Sequence, residues 1–564
     1  MSNPKRILRF VTAFMGLIAV LATAACAQIP TSSDVRQGQY IGGGLSNEDL
    51  YYSPNPPSRG ASQEEIIRGF LNAGTGPQDD YAVARQYLTR DFAKKWKPNE
   101  ETLVQQGKPG ISFLAENQSQ VVVKLQSKVD ANGVYTIASP DEERNLYISL
   151  VEEAGQWRID DAPNLTVLIR PVFDVIFQSY SLYFFDKQLR HLVPDLRWFP
   201  SRASTSTRMI TELLAGPSDW LKDAVVTAIP AGTKLSLAAV TVANGVASVD
   251  LNAKTLSLSA TAKTYLKAQI FATLRQLPNV TSVQILVERS PQVIADLALE
   301  SNPSAGVSPV ILSPNGFTHV SGANPPSFAK VEGLIANYVA TDFALSADET
   351  RLALKSANGV YATSLNDFGK EPVLVDARSK LIRPVFDRQG FLWSTGVAAG
   401  SFIRILSPRG EVSELPAGWL SLANRVEISI SVEGSRLAAL VATPSGNQVL
   451  VSSIVRDESG KPIQLGRPIR IGSTIQNPSA LSWSGETQVL VLTLNPESTA
   501  GGVYKSTVGA DTVLIANTTD MVDILGGPAG ELYGLNSFGE LYRHRSTGWV
   551  MVDDAVQVAH QSGF

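Results

Sequence analysis

The chain has 564 residues, and at about 100–200 residues per domain that length predicts three or four domains. Hydrophobic residues make up 44% and charged residues only 18%, which supplies packed cores and excludes wholesale disorder. A net charge of −4 argues against nucleic acid as the main partner, and one Cys with four His leaves no internal disulfide and almost no ligands for zinc, haem or iron–sulfur clusters.

Residues 1–25 read as a signal peptide. Lys5, Arg6 and Arg9 precede an apolar run from Val11 to Ala25. At ~1.5 Å per residue that run falls short of the ~30 Å hydrocarbon core, so it is not expected to remain as a span. Thr23, Ala24 and Ala25 followed by Cys26 resemble the lipobox of bacterial lipoproteins, with Thr23 where Leu is usual. Cys26 is therefore the expected site of lipidation, the residue whose sulfur takes a diacylglycerol. Two acyl chains at ~0.8 kcal/mol per buried CH₂ hold a protein on a membrane without a transmembrane helix. Residues 26–61, with Gly42-Gly43-Gly44 and Pro54, Pro56 and Pro57, have the composition of a tether.

Residues 62–168 read as an α+β domain. Ser62 with Glu65 three positions on forms a capping signature, and Ile66, Ile67, Phe70 and Leu71 follow at helical spacing. A second helical segment is expected from Asp80 to Leu88, with Tyr81, Ala84, Tyr87 and Leu88 on one side. Alternating strands are then expected at 121–125, 134–137, 146–151 and 157–159, joined by turns at Asn132-Gly133 and Ala154-Gly155.

Residues 171–290 read as a second α+β domain of order β-α-β-β-α-β, one sheet with its helices on one face. Its expected helices are Thr205 to Leu214, stopped by Gly216-Pro217, and Ala262 to Leu277, with Leu266, Ile270, Leu274 and Leu277 on one stripe. Its expected strands include Leu235 to Val242 and Val246 to Leu251, joined by Asn244-Gly245 in a type I′ turn.

Residues 302–322, rich in Ser, Pro and Gly, read as a linker. Beyond it, over 323–564, strand ends recur at Leu345, Phe386, Ile430, Trp483 and Leu525, each before a turn. Steps of roughly 40–50 residues are those of four-stranded blades, so an all-β propeller of five or six blades is expected, the sixth split between the ends of the domain.

Three runs are long enough to carry a family likeness. They are Ser53 to Ser62; Ile66-Ile67-Arg68-Gly69-Phe70-Leu71; and Ala84-Arg85-Gln86-Tyr87-Leu88-Thr89 with Trp96 and Pro98. The middle region resembles a GerMN domain through Glu212-Leu213-Leu214-Ala215-Gly216-Pro217, Ala228 to Thr233, Gly245 to Leu251 and Gln269 to Leu274. Together these resemble the LpqB family of actinobacterial lipoproteins. The resemblance implies an N-terminal domain similar to nuclear-transport-factor-two-like or cystatin-like folds, then GerMN, then a β-propeller. It also implies association with the ectodomain of an Mtr-type two-component sensor kinase and an accessory role in envelope and division functions. The implied place is the cell membrane, lipid-anchored, on the extracytoplasmic face.

The sequence carries no catalytic or metal-binding motif. His191, His319, His544 and His560 sit in no metal or nucleophile pattern, and no phosphate-cradling Gly motif follows a strand. His191 reads as a surface or strand-edge residue. Asp79-Asp80, Asp141-Glu142-Glu143, Asp160-Asp161 and Asp553-Asp554 read as turns, although acids from different blades could converge at a propeller mouth as in a glycosidase. Tyr180, Tyr183, Phe184, Phe185, Trp198 and Phe199 are either a stacking surface or core and inter-domain packing. The expectation is a non-enzymatic interaction protein without a cofactor or metal. The alternatives are a sensor binding peptidoglycan or another wall glycan, and a propeller-based hydrolase.

Overall fold

The computed structural model describes residues from 54 to 559, except 77, 202–203, 300–308, 315, 321–327, 329–330, 368–370, 496, 499, 528–529 and 555–556. The signal peptide, Cys26 and His560 lie outside the described residues.

In the first domain the capping box forms as read: the Ser62 hydroxyl accepts from Glu65 N–H and the Glu65 carboxylate accepts from Ser62 N–H at 2.7 Å. The helix Gln63–Ala73 buries Ile66, Ile67, Phe70 and Leu71. Gly69 is where the Tyr87 ring crosses it, since a Cβ there would lie 2.4 Å from the ring. Tyr81, Ala84, Tyr87 and Leu88 are all buried, but the expected second helix is broken. Tyr81 adopts φ +59, so a 3₁₀ turn at Gln78–Asp80 is followed by a short helix at Ala82–Arg85. The long strand Gln118–Asp130 organises a seven-stranded sheet, pairing with Glu143–Glu153 along one half and Glu101–Gln105 along the other.

The middle domain differs from the single sheet expected. It has two sheets. One is the hairpin Phe177–Asp186 and Leu192–Pro200 with Val225–Val226; the other joins Thr241–Ala243, Val246–Leu251, Ser282–Val287 and Ser290–Pro291. Side chains take the place of the missing ladder. On the helix Ala260–Leu274, buried Gln269 donates to Tyr183 C=O at 2.9 Å, and Thr273 accepts from Tyr183 N–H at 3.2 Å. Just beyond it, Gln276 bonds both backbone groups of Ser181. The expected strand Leu235 to Val242 shrinks because Thr207 and Ser206 satisfy the backbone N–H and C=O of Val240. The Asn244-Gly245 turn forms with φ +50 and +81, the signature of type I′.

The rest of the chain forms six sheets, called blades 1 to 6 here. Blade 1 pairs Val310–Ser313 with Gly316–His319 on one side and Gln557–Ala559 on the other. Within the expected linker 302–322, residues 310–313 and 316–319 are therefore strands of this blade, while 302–308, 315 and 321–322 lie outside the described residues. Blades 2 to 6 begin at Asp342–Leu345, Val385–Phe386, Asn424–Ile430, Pro478–Ser484 and Met521–Gly526. A helix that sequence periodicity did not signal, Val331–Tyr338, lies between blades 1 and 2 in the chain.

Apolar clusters join neighbouring blades in turn: Phe317 with Phe343, Val360 with Phe386, Trp393 with Ile428, Val449 with Trp483, Leu490 with Ile524, and Leu525 with Ile311. Six interfaces for six blades close the ring.

The turns repeat one local chemistry. Ser407, Asp457 and Asn536 each accept backbone N–H bonds from residues two and four positions on through a single side-chain oxygen. Arginines then link blade to blade, Arg351 to Gly390 C=O and Arg436 to Glu486 C=O. Arg436 and Glu433, each 1% exposed, form a buried ion pair at 2.7 Å.

Candidate functional site

The turns between first and second and between third and fourth strands of a blade share one rim, and the middle domain sits on that rim of blades 4 and 5. Tyr183 donates to Glu486 at 2.8 Å, Gln188 donates to Asp457 C=O at 3.1 Å, and the Ser453 hydroxyl donates to Trp220 C=O at 2.7 Å. Burial and then the Glu486 charge push the Tyr183 phenol up, so it stays a donor. The first domain reaches the same rim, where Asp511 accepts from Tyr135 at 2.6 Å and pairs with Arg170. Phe173 stacks on Phe177 with ring centroids 4.8 Å apart, and Trp198 packs on Phe173 at 5.2 Å.

This placement decides the reading of the aromatic cluster. Tyr180, Tyr183, Phe184, Phe185 and Phe199 are buried, and Trp198 packs in the seam between domains. They are core and inter-domain packing. A cavity of about 700 Å³ remains at the seam, between the helix Ala260–Leu274, residues 296–299 and Glu486, with Lys267 and Arg275 at its wall.

The histidines are not gathered. His191 is buried rather than on the surface, directly before the strand Leu192–Pro200. His319 stacks on Phe328 and lies 3.2 Å from Glu349, and His544 packs edge-on against Trp549. Among the described residues no group of three or more His, Cys, Asp or Glu could hold a metal ion. No helix among them is long and apolar enough to cross a membrane.

The adjacent carboxylates stay apart. Asp80 pairs with Arg85 and Asp141 with Lys124, while Asp160-Asp161 and Asp553-Asp554 end strands rather than occupying turns. Three other acids do converge from different blades. Asp342 of blade 2, Glu427 of blade 4 and Asp523 of blade 6 all reach Arg383, at 3.4, 3.4 and 2.7 Å. Burial works against the Arg383 charge, but Asp523, Glu427 and Asp342 together hold it firmly in the cationic form. Lys355 also contacts Asp342, at 2.6 Å. A clamped guanidinium leaves these carboxylates as acceptors in an ion-pair network, so the cluster pins three blades together across the ring. Sequence reading missed Arg383 because its partners lie 41, 44 and 140 residues away, and no local pattern marks them.

Comparison with known proteins agrees with this domain order. Residues 56–174 match the family model "Lipoprotein LpqB, N-terminal domain", 181–293 match "Sporulation and spore germination", and 320–560 match "Lipoprotein LpqB beta-propeller domain". The chain is 25% identical over 558 residues to Lipoprotein LpqB of Thermobifida fusca, covering 84% of this chain and 86% of the relative. It is 25% identical over 515 residues to Lipoprotein LpqB of Bifidobacterium longum, covering 87% of each. A solved structure, the first GerMN domain of the sporulation protein GerM from Bacillus subtilis, is 20% identical and aligns over 22% of this chain and 96% of that one, with a TM-score of 0.18. With LpqB models on both sides of the sporulation-and-germination domain, and relatives of that name aligned along most of its length, the chain belongs to the LpqB family.

Proposed function

We propose that the protein is an envelope lipoprotein, anchored through Cys26 on the outer face of the cytoplasmic membrane. There it works without catalysis as an accessory regulator that binds the extracellular part of an Mtr-type sensor kinase and supports envelope and division homeostasis. The observation that carries this reading is where the reactive groups have gone. The convergent acids are clamped on Arg383, and Tyr183 and Asp511 bind other domains. Outward-facing aromatic and aliphatic groups remain on the first domain: Phe113 and Leu114 on the edge strand Gly110–Ala115 are 46% and 56% exposed, and Tyr147 is 59% exposed. Large exposed aromatics of this kind are the residues that anchor protein interfaces. A kinase bound more tightly in one signalling state would be shifted toward that state by the difference in affinity.

Calorimetric titration of the full-length protein in neutral detergent against the purified kinase ectodomain tests the proposal. Saturable binding, weakened at least tenfold by Phe113→Ser with Tyr147→Ser, is the expected result. Defined wall fragments are titrated in parallel; the seam cavity with Tyr183, Phe271 and Lys267 on its wall favours them as the second reading. Binding to wall fragments alone would replace the kinase reading with that of a glycan sensor.

A further inference from the structure

A second pocket at the domain seam, of about 430 Å³, has an unusual charge for this protein. Four turns meet there. The middle domain contributes Asp186 to His191, blade 3 contributes Arg388 to Phe391 and Ser407 to Glu411, and blade 4 contributes Ser459 to Lys461. Each turn is held by its own first side chain. Buried Asp186 accepts from Arg190 N–H at 2.7 Å and His191 N–H at 3.1 Å. Buried Asp387 accepts from Phe391 N–H at 2.8 Å and Trp393 Nε1 at 3.0 Å, and pairs with Arg456 at 2.7 Å. Ser407 and Asp457 hold the other two turns through backbone N–H groups.

The acids of these turns are engaged within them, whereas the arginines are not. The Asp186 and Asp387 carboxylates are committed inside the turns, and Arg456 is neutralised by Asp387. Arg190, Arg388 and Arg409 line the pocket with no side-chain hydrogen bond or ion pair to any described residue, and Lys461 beside them shares its charge with the Asp457 carboxylate of its own turn. Glu411 is the only other acid on the wall. A chain of net charge −4 thus places three uncommitted arginines and a fourth cation around one cavity.

We propose that this pocket binds a phosphate ester, bridging the middle domain and blades 3 and 4. Guanidinium forks match phosphate oxygens two at a time. The cavity exceeds what a bare phosphate fills, and Phe391 and Pro408 give an apolar wall for the alcohol that the phosphate esterifies. Gln389, Ser407 and Ser459 supply neutral polar groups beside it. The same chemistry is offered by a phospholipid headgroup and by a phosphodiester polymer outside the membrane. Because the pocket lies on two domains, a bound ester also strengthens their docking. This site is independent of whether a kinase ectodomain binds.

The test uses the full-length chain with Cys26→Ser, which carries no acyl anchor, in detergent-free buffer at low salt. Glycerol phosphate and poly(glycerol phosphate) are titrated by calorimetry, and vesicles of phosphatidylcholine with and without phosphatidylglycerol are tested by flotation. The expected result is saturable binding of glycerol phosphate and a ligand-dependent rise in melting temperature. Binding should fall at least tenfold in Arg388→Glu with Arg409→Glu, and also in the milder Arg388→Gln with Arg409→Gln, while the ligand-free melting temperature stays unchanged. Arg275→Glu, at the other seam cavity, should bind as wild type. Tighter polymer binding identifies an extended phosphodiester as the source, and flotation only with phosphatidylglycerol identifies a headgroup. No saturable binding of any probe, or binding unaffected by both double variants, overturns the proposal.

Discussion

Trp198 and Gly509 are 311 residues apart in the chain and 2.9 Å apart in space, where the indole N–H donates to the backbone carbonyl. Gly509 has φ +86, and a Cβ there would lie 3.3 Å from Leu196, so the approach of the middle domain to blade 5 depends on glycine. Gly509→Ala should weaken docking and Trp198→Phe should remove about 1 kcal/mol through the lost hydrogen bond. Both changes should leave the propeller's own transition in place. Differential scanning calorimetry that resolves the domain transitions checks this; an unchanged thermogram would count against a docking role.

Arg383→Met should cost about 3–5 kcal/mol at neutral pH, because it leaves Asp342, Glu427 and Asp523 together without their shared cation. Urea unfolding at pH 7 measures the loss, and a variant as stable as wild type would remove the cluster as a pin between blades.

Gly359→Ala tests the turn of blade 2. Its φ of +134 is disfavoured for other residues, and a Cβ would lie 2.1 Å from the carbonyl oxygen of Asp376. A loss of at least about 2 kcal/mol is expected by chemical denaturation. An alanine variant as stable as wild type would show that the strand Val373–Asp376 can shift freely.

Acid stability depends on Asp376 and Asp348. Burial pushes each carboxyl up, but hydrogen bonds outweigh it: those from Arg378 and Ser394 hold Asp376 low, and those from Ser346 and Thr350 hold Asp348 low. A depressed folded-state pKa contributes stability above the unfolded value of about 4 and loses it as pH falls through the folded value. Asp376→Asn should therefore be less stable at pH 7 and show a shallower decline between pH 5 and pH 2. Parallel decline of the two proteins would remove Asp376 as a contributor.

Much of this architecture was legible because its signals are local. The Ser62 and Glu65 cap, the Asn244-Gly245 turn and the strands ending near Leu345, Phe386, Ile430, Trp483 and Leu525 each sit within a few residues of their cause. What escaped was set by distant partners. Gln269, Thr273 and Gln276 look like ordinary polar helix residues until the strand edge at Ser181 and Tyr183 is placed beside them. Val310–Ser313 reads as linker until Gln557–Ala559 supplies its neighbour. Arg383 is one arginine among many until three blades surround it.

The pairing of Val310–Ser313 with Gln557–Ala559 also sets a timetable. These partners are roughly 250 residues apart, and at ~5–20 residues per second the ribosome needs about 12–50 s between them. Throughout that interval the first blade exposes an unpaired strand edge beside apolar Ile311. The two preceding domains can be complete while the ring is still open. A chaperone or export factor that shields this edge would then protect the nascent chain from association, and the last strand would release it on arrival.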